Sequence, residues 1–367
     1  MIYPALPELF RGGVGQRILA VYAQGFKPQD DGFIHANILD EATFSRVKND
    51  FASAFDAQVK AQPNGEWVLS SEHLHSRLIE PEQVETLAQF LLSYFTDISV
   101  YIHLRPQVDM ARSLASTLAR AGAKVGCAFF EKIEETSAYY NYQSLVARWA
   151  AAFGAEKIVV IPYKRQPDIQ RFFLERLKLG AGIFRPVARL NESLDWRMMA
   201  LLSVIRPYRE NLFGSKWLPE AFKGFPCLEQ LQIGLDLAQK LDRRMQTSNA
   251  ALIAARPELE PGDLSPDWAA YDHPENLSQI DLPVVFAEPL VAVLSQMQLQ
   301  LKQETCLTLL AESERALARR NHQTARQKLA RARAILVELK TAGGKPKELK
   351  AMQNRTQRLH KMLETEP

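Results

Sequence analysis

The segment Arg105-Pro106-Gln107-Val108-Asp109-Met110-Ala111-Arg112-Ser113-Leu114 carries residue types suited to holding an anion. An arginine ending a strand presents a planar fork that binds two phosphate oxygens at once. A helix starting just beyond it adds backbone N–H groups and the positive end of its dipole. Asp109 is placed to begin that helix, and Ser113 falls within its first turns. Arg105 and Ser113 together therefore suit a phosphate monoester. The plain alternative pairs Arg105 with a nearby carboxylate and leaves Ser113 on the surface.

Other chemistry is thinner. Cys127, Cys227 and Cys306 stand far apart with neither CxxC nor Cys/His ligand spacing. That pattern argues against a metal site and against a disulfide framework, and points to inert thiols in a reducing compartment.

The elements that must position Arg105 follow from periodicity. Trp67-Val68-Leu69-Ser70, Ile98 to Leu104 and Lys157 to Pro162 are short runs of the kind that form buried strands. Between them, 82–95, 108–122 and 139–153 have helical period, the last ending at Phe153-Gly154 as a glycine cap would. Alternation of this kind implies βαβ units and a parallel sheet, whose ligands collect at the carboxyl ends of the strands. Further helices are expected over 168–178, 193–206, capped from Asn191-Glu192-Ser193, and 226–254. The five prolines between Pro257 and Pro283 read as a linker or surface loop containing a domain boundary. Beyond it, 287–340 reads as a helical hairpin turning near Asn321, and Gly343-Gly344 separates a third helix over 346–363.

The chain has 367 residues, 47% hydrophobic and 24% charged, which fits one large domain plus an appendage. No run of 18 apolar residues exists, and Met1-Ile2-Tyr3-Pro4 opens no leader pattern, so a soluble cytoplasmic protein is expected. Residues 301–367 hold 15 Lys/Arg against 7 Asp/Glu, leaving 30 against 35 in residues 1–300. The basic character belongs to the tail, which contains no Phe, Trp or Tyr for base stacking. An acidic protein partner fits that tail better than nucleic acid does.

The strand–Arg105–Pro106–Asp109–Ser113 unit resembles the 3′-phosphate-binding segment of the sulfotransferases. Ser70-Ser71-Glu72-His73-Leu74, the helix from Tyr140 through Trp149, Phe153-Gly154, Val159 to Tyr163, Leu190 to Leu194 and Ser248 to Leu252 are similar to segments of bacterial members. The likeness covers about residues 1–275. It implies an α/β fold of the P-loop class, three-layered with a mostly parallel sheet flanked by helices. An all-α appendage over 285–367 would follow that domain.

The resemblance also implies chemistry. Arg105 and Ser113 would hold the 3′-phosphate of 3′-phosphoadenosine 5′-phosphosulfate, the donor. Sulfate would pass to a hydroxyl or amine, on a glycan or lipid for example. Glu72 would take the acceptor's proton, with His73 or His75 as rivals. The family's Lys-[Ser/Thr]-Gly-Thr loop has no counterpart: Arg11-Gly12-Gly13-Val14-Gly15-Gln16-Arg17 lacks its ending, and the chain is expected to begin past that element. Two functions stay open, a sulfotransferase completed by an upstream start and a non-catalytic scaffold docking a partner through its tail.

Overall fold

The computed structural model describes residues 2, 4, 16–120, 123–166, 168–178, 193–205, 227–280, 287–341 and 346–365. In chain order these form α1 (Ile18–Gln24), α2 (Asp31–His35), α3 (Glu41–Ala61), α4 (His73–Arg77), α5 (Pro81–Leu92), β1 (Val100–Leu104), α6 (Gln107–Arg120) and α7 (Cys127–Glu131). There follow α8 (Tyr142–Phe153), β2 (Ile158–Pro162), α9 (Ile169–Arg176), α10 (Trp196–Ile205), α11 (Leu235–Ala255), α12 (Ala287–Ala318), α13 (His322–Thr341) and α14 (Pro346–Thr365). Two compact units result. Unit 1 is Met1–Ala115, Cys127–Glu192 and Gln232–Leu277, and unit 2 is Ser116–Gly126, Ser193–Leu231 and Ser278–Pro367.

In unit 1, β1 and β2 pair in parallel, with Val100 opposite Ile158 and Leu104 opposite Pro162. α6 and α8 lie between them in sequence, the crossover that parallel pairing demands. The expected three-layer sheet is nevertheless corrected. Among the described residues the sheet has only these two strands, and the structure is 66% helical. The P-loop, sulfotransferase-like architecture is overturned with it.

The physical reason lies in how the core is filled. Phe44, Phe51 and Phe55 are buried along one face of α3, at spacings of seven and four that fit a helical stripe. The Phe55 ring meets Trp67, Phe90, Tyr94 and Phe95 at centroid distances of 5.2 to 6.1 Å. Fully buried rings such as Phe51 and Phe55 contribute about 1.5–3 kcal/mol each by burial, and each aromatic pair about 0.5–1.5 kcal/mol more. Trp67, expected within a third strand, thus becomes a wall of an aromatic cluster and makes a single bridge to Ile2.

Helix ends follow local chemistry. Asp40 Oδ1 accepts from the Thr43 N–H at 2.6 Å to open α3, and Asn141 Oδ1 accepts from the Ser144 N–H at 2.8 Å to open α8. Pro81 and a Glu80/Gln83 capping box open α5, while Gly154 at φ 97° ends α8. The helix expected over 226–254 starts later, at Leu235, after Gly234 turns the chain at φ 76°. The proline-rich stretch is no open linker up to Ile280: Leu259, Leu264, Tyr271, Leu277 and Ile280 are buried. The glycine cluster at 11–15 and the Asn191-Glu192 cap lie outside the described residues.

In unit 2, α12, α13 and α14 pack on a shared core that includes Leu310, Leu329, Leu339 and Leu359. Arg320 at φ 56° and the Asn321 side chain, which accepts from the Thr324 N–H at 3.0 Å, form the turn expected near Asn321. Small residues let α12 and α13 approach: buried Ser313 Oγ donates to the Ala325 carbonyl at 2.9 Å. Arg355 grips Glu314 with Nε and Nη2 at 2.9 and 2.6 Å. Elsewhere in this unit, the buried Asp195 carboxylate accepts from Arg197 Nε and Nη2 and from the backbone N–H groups of Arg197, Leu228 and Glu229. No described helix is long and apolar enough to cross a membrane.

Candidate functional site

The parallel register brings the residues after β1 and β2 side by side. The Tyr163 N–H donates to the Leu104 carbonyl at 2.8 Å, extending the ladder by one rung. Arg105 consequently lies over the Tyr163 ring, its guanidinium carbon 5.5 Å from the ring centre. The Tyr142 hydroxyl, at the start of α8, donates to the Arg105 carbonyl at 2.7 Å and fixes the backbone there. Arg105 Nε is out of solvent with no hydrogen-bond partner among the described residues.

α6 begins at Gln107, two residues after Arg105, and that first residue is pinned. Gln107 and Asn249 exchange side-chain amide bonds of 2.7 and 3.1 Å, so α6 is tied to α11 through a buried pair. Asp109, Arg112 and Ser113 fall at i, i+3 and i+4 on one face of α6. Tyr271, almost wholly buried in the 3₁₀ turn Trp268–Tyr271, packs against that face. Its hydroxyl donates to Asp109 Oδ1 at 2.5 Å, and Arg112 lies 5.0 Å from its ring centre. Burial raises the Tyr271 hydroxyl pKa well above the ordinary value, Asp109 raises it further, and Arg112 and Arg105 partly oppose this. Tyr142 and Tyr140 are likewise pushed up, chiefly by burial. These phenols stay protonated, and two guanidiniums against one carboxylate leave the cluster cationic. Such an arrangement can hold an oxyanion by charge-assisted bonds.

The four residues singled out by sequence fall as follows. Arg105 sits in the turn before α6, close enough for its charge to act on Tyr271, and Ser113 lies half-buried in the second turn of α6. Glu72 precedes α4 with 79% of its side chain in solvent, 3.7 Å from His73 Nε2. Its charge raises the Tyr139 hydroxyl, after burial, which links that end to the tyrosine cluster. The rival His75 stacks on Tyr139 at 4.5 Å and its Nε2 meets the Tyr139 carbonyl at 3.0 Å. With the sheet-core fold overturned, the sulfotransferase function is corrected too, and no sulfate-transfer step is assigned to Glu72 or His73.

The sequence assigned no site role to Tyr271, Tyr142, Arg112 or the Gln107–Asn249 pair, although all but Tyr271 lie in segments of the resemblance. Gln107 and Asn249 stand 142 residues apart, which no local pattern reveals. For Tyr271 a signal existed: two aromatic residues, Trp268 and Tyr271, in an otherwise polar, proline-rich stretch.

Unit 2 contains a concave feature. A groove of about 450 Å³ runs between α13 and α14, lined by Arg326, Leu329, Ala330 and Arg333 on one side and His360, Leu363 and Glu364 on the other. Arg326 Nη2 donates to the Leu363 carbonyl at 3.2 Å, and His360 Nε2 lies 3.1 Å from Glu364. Among the described residues, no group of three or more His, Cys, Asp or Glu side chains is arranged to hold a metal. No protein-family model, curated protein or solved structure matches this chain.

Proposed function

We propose that unit 1 is a binding module for a phosphate monoester, seated at the β1–α6 turn. The observation that carries this reading is the buried Arg105 Nε, without a partner among the described residues, beside the start of a helix and a cationic Arg105/Arg112 face. Guanidinium N–H groups and the first amides of a helix serve the same ligand, a compact oxyanion. The partly exposed Tyr163 ring beside Arg105 adds flat apolar surface suited to an aromatic substituent. Ser113 supplies a hydroxyl on the Arg112 side. A nucleotide bearing a 3′-phosphate meets these requirements, and no group transfer is part of the proposal. Titration with 3′-phosphoadenosine 5′-phosphate, with adenosine 5′-phosphate as the comparison lacking the 3′-group, tests it. Tighter binding of the former supports the reading, and equal or absent binding rejects it.

The unit 2 groove favours a second, separate role as a docking surface. Its lining combines Leu329 and Leu363 with Arg326, Arg333 and His360 against one Glu364, so an acidic amphipathic helix is the complementary partner. Binding of a leucine-faced, glutamate-rich peptide that disappears in the Arg326→Glu/Arg333→Glu variant supports this role. Undiminished binding by that variant excludes the groove.

A further inference from the structure

α8 carries a second buried guanidinium, on Arg148, which is only 8% exposed. Its Nη1 donates to Ser144 Oγ at 3.3 Å, one helical turn back. Nε and Nη2, both out of solvent, have no hydrogen-bond partner among the described residues. These two N–H groups point the same way and form the side-on edge of the guanidinium, the edge that matches the two oxygens of a carboxylate.

The same chain shows what that edge binds when it is filled. Arg165 Nε and Nη2 hold the two oxygens of Asp263 at 2.8 and 2.5 Å, Arg197 holds Asp195 at 2.8 and 2.6 Å, and Arg355 holds Glu314 at 2.9 and 2.6 Å. Taking a guanidinium out of water without filling its donors is costly, so a buried fork of this kind calls for an oxyanion. Glu80 is the nearby carboxylate whose charge Arg148 senses. That carboxylate, however, caps α5, accepting from the backbone of Gln83.

The geometry points to a carboxylate-binding site at Arg148, taking the monoanionic carboxylate of a small organic acid on Nε and Nη2. Three features select a monoanion over a phosphate dianion. The site offers one guanidinium, Glu80 contributes repulsion, and the imidazole of His75, close enough to feel the Arg148 charge, is spent on the Tyr139 carbonyl. Burial also lowers the His75 pKa, with Arg148 adding to the effect, so His75 supplies no second cation at neutral pH. The site stands on α8 and its neighbours and does not depend on the β1–α6 reading.

The test is thermal unfolding of the full chain at pH 7 in millimolar sodium acetate, sodium phosphate or sodium chloride at equal ionic strength. Arg148→Lys, which keeps the charge and loses the fork, is run alongside. The expected result is a rise in Tm in acetate over chloride that is absent in Arg148→Lys. In addition, the Arg148 Nε–H resonance of the unsubstituted protein should shift saturably with acetate, a readout that holds even where the variant fails to fold. A larger effect of phosphate than of acetate overturns the choice of carboxylate. No difference from chloride, together with an unmoved Nε–H resonance, overturns the site.

Discussion

The Tyr142 hydroxyl donates to the Arg105 carbonyl at 2.7 Å, so the first residue of α8 holds the backbone of the residue that follows β1. Tyr142 is almost wholly buried, and its pKa is raised chiefly by that burial, so the donor is present across the physiological range. Tyr142→Phe keeps the ring and removes the bond. Leaving the carbonyl without that donor should cost about 1–3 kcal/mol. Urea unfolding should show a lower midpoint with an unchanged slope. An unchanged midpoint would mean that the Arg105 carbonyl finds water as readily as the phenol.

Asp195 organises part of unit 2 around a buried carboxylate. The Arg197 side chain, first, and the N–H groups of Arg197, Glu229 and Leu228 hold its pKa well below the usual range, against the opposing effect of burial. A depressed folded-state pKa gives stability that is full above the ordinary Asp value near 4 and is lost as pH falls through the folded value. Asp195→Asn should cost about 2–4 kcal/mol at pH 7 and flatten the acid limb of the stability profile. An acid limb identical to that of the unsubstituted protein would contradict this.

His75 works at higher pH. Its imidazole is held below its ordinary value by burial, with Arg148 adding to the effect and the bond to Tyr139 partly opposing it. Because the folded state binds a proton less readily than the unfolded state, stability is full above about pH 6.5 and declines as pH falls below it. His103 shares this behaviour through burial, so part of the slope belongs to it. His75→Gln should reduce, without abolishing, the loss of stability between pH 7.5 and 5.5. A slope as steep as before would assign the whole effect elsewhere.

Local pattern revealed local structure. The strands Val100–Leu104 and Ile158–Pro162, the helices α5, α6, α8 and α9, and the turn at Asn321 follow from periodicity and capping that sequence displays directly. The sheet was overread because Trp67-Val68-Leu69-Ser70 has strand composition, whereas its indole is drawn into the rings of Phe55 and Phe95. Burial against helices and burial in a sheet leave the same short apolar run. For the site, Arg105 was legible because an arginine at a strand end is distinctive. Tyr271 and Asn249 reach it from 166 and 144 residues further along the chain, through tertiary packing that leaves no local trace. Arg148 was hidden for another reason, since an arginine on an amphipathic helix normally reads as solvated.

Whether Arg105 receives a phosphate monoester is decided by calorimetric titration of the full chain with 3′-phosphoadenosine 5′-phosphate, beside Arg105→Ala. Loss of charge-assisted bonds worth about 1.5–3 kcal/mol should weaken binding by roughly 10- to 150-fold. Raised salt should weaken the unsubstituted protein's binding more than the variant's. Saturable binding that collapses in Arg105→Ala is the predicted result. Equal affinity in both proteins, or no heat from a folded, unsubstituted chain, would contradict the claim.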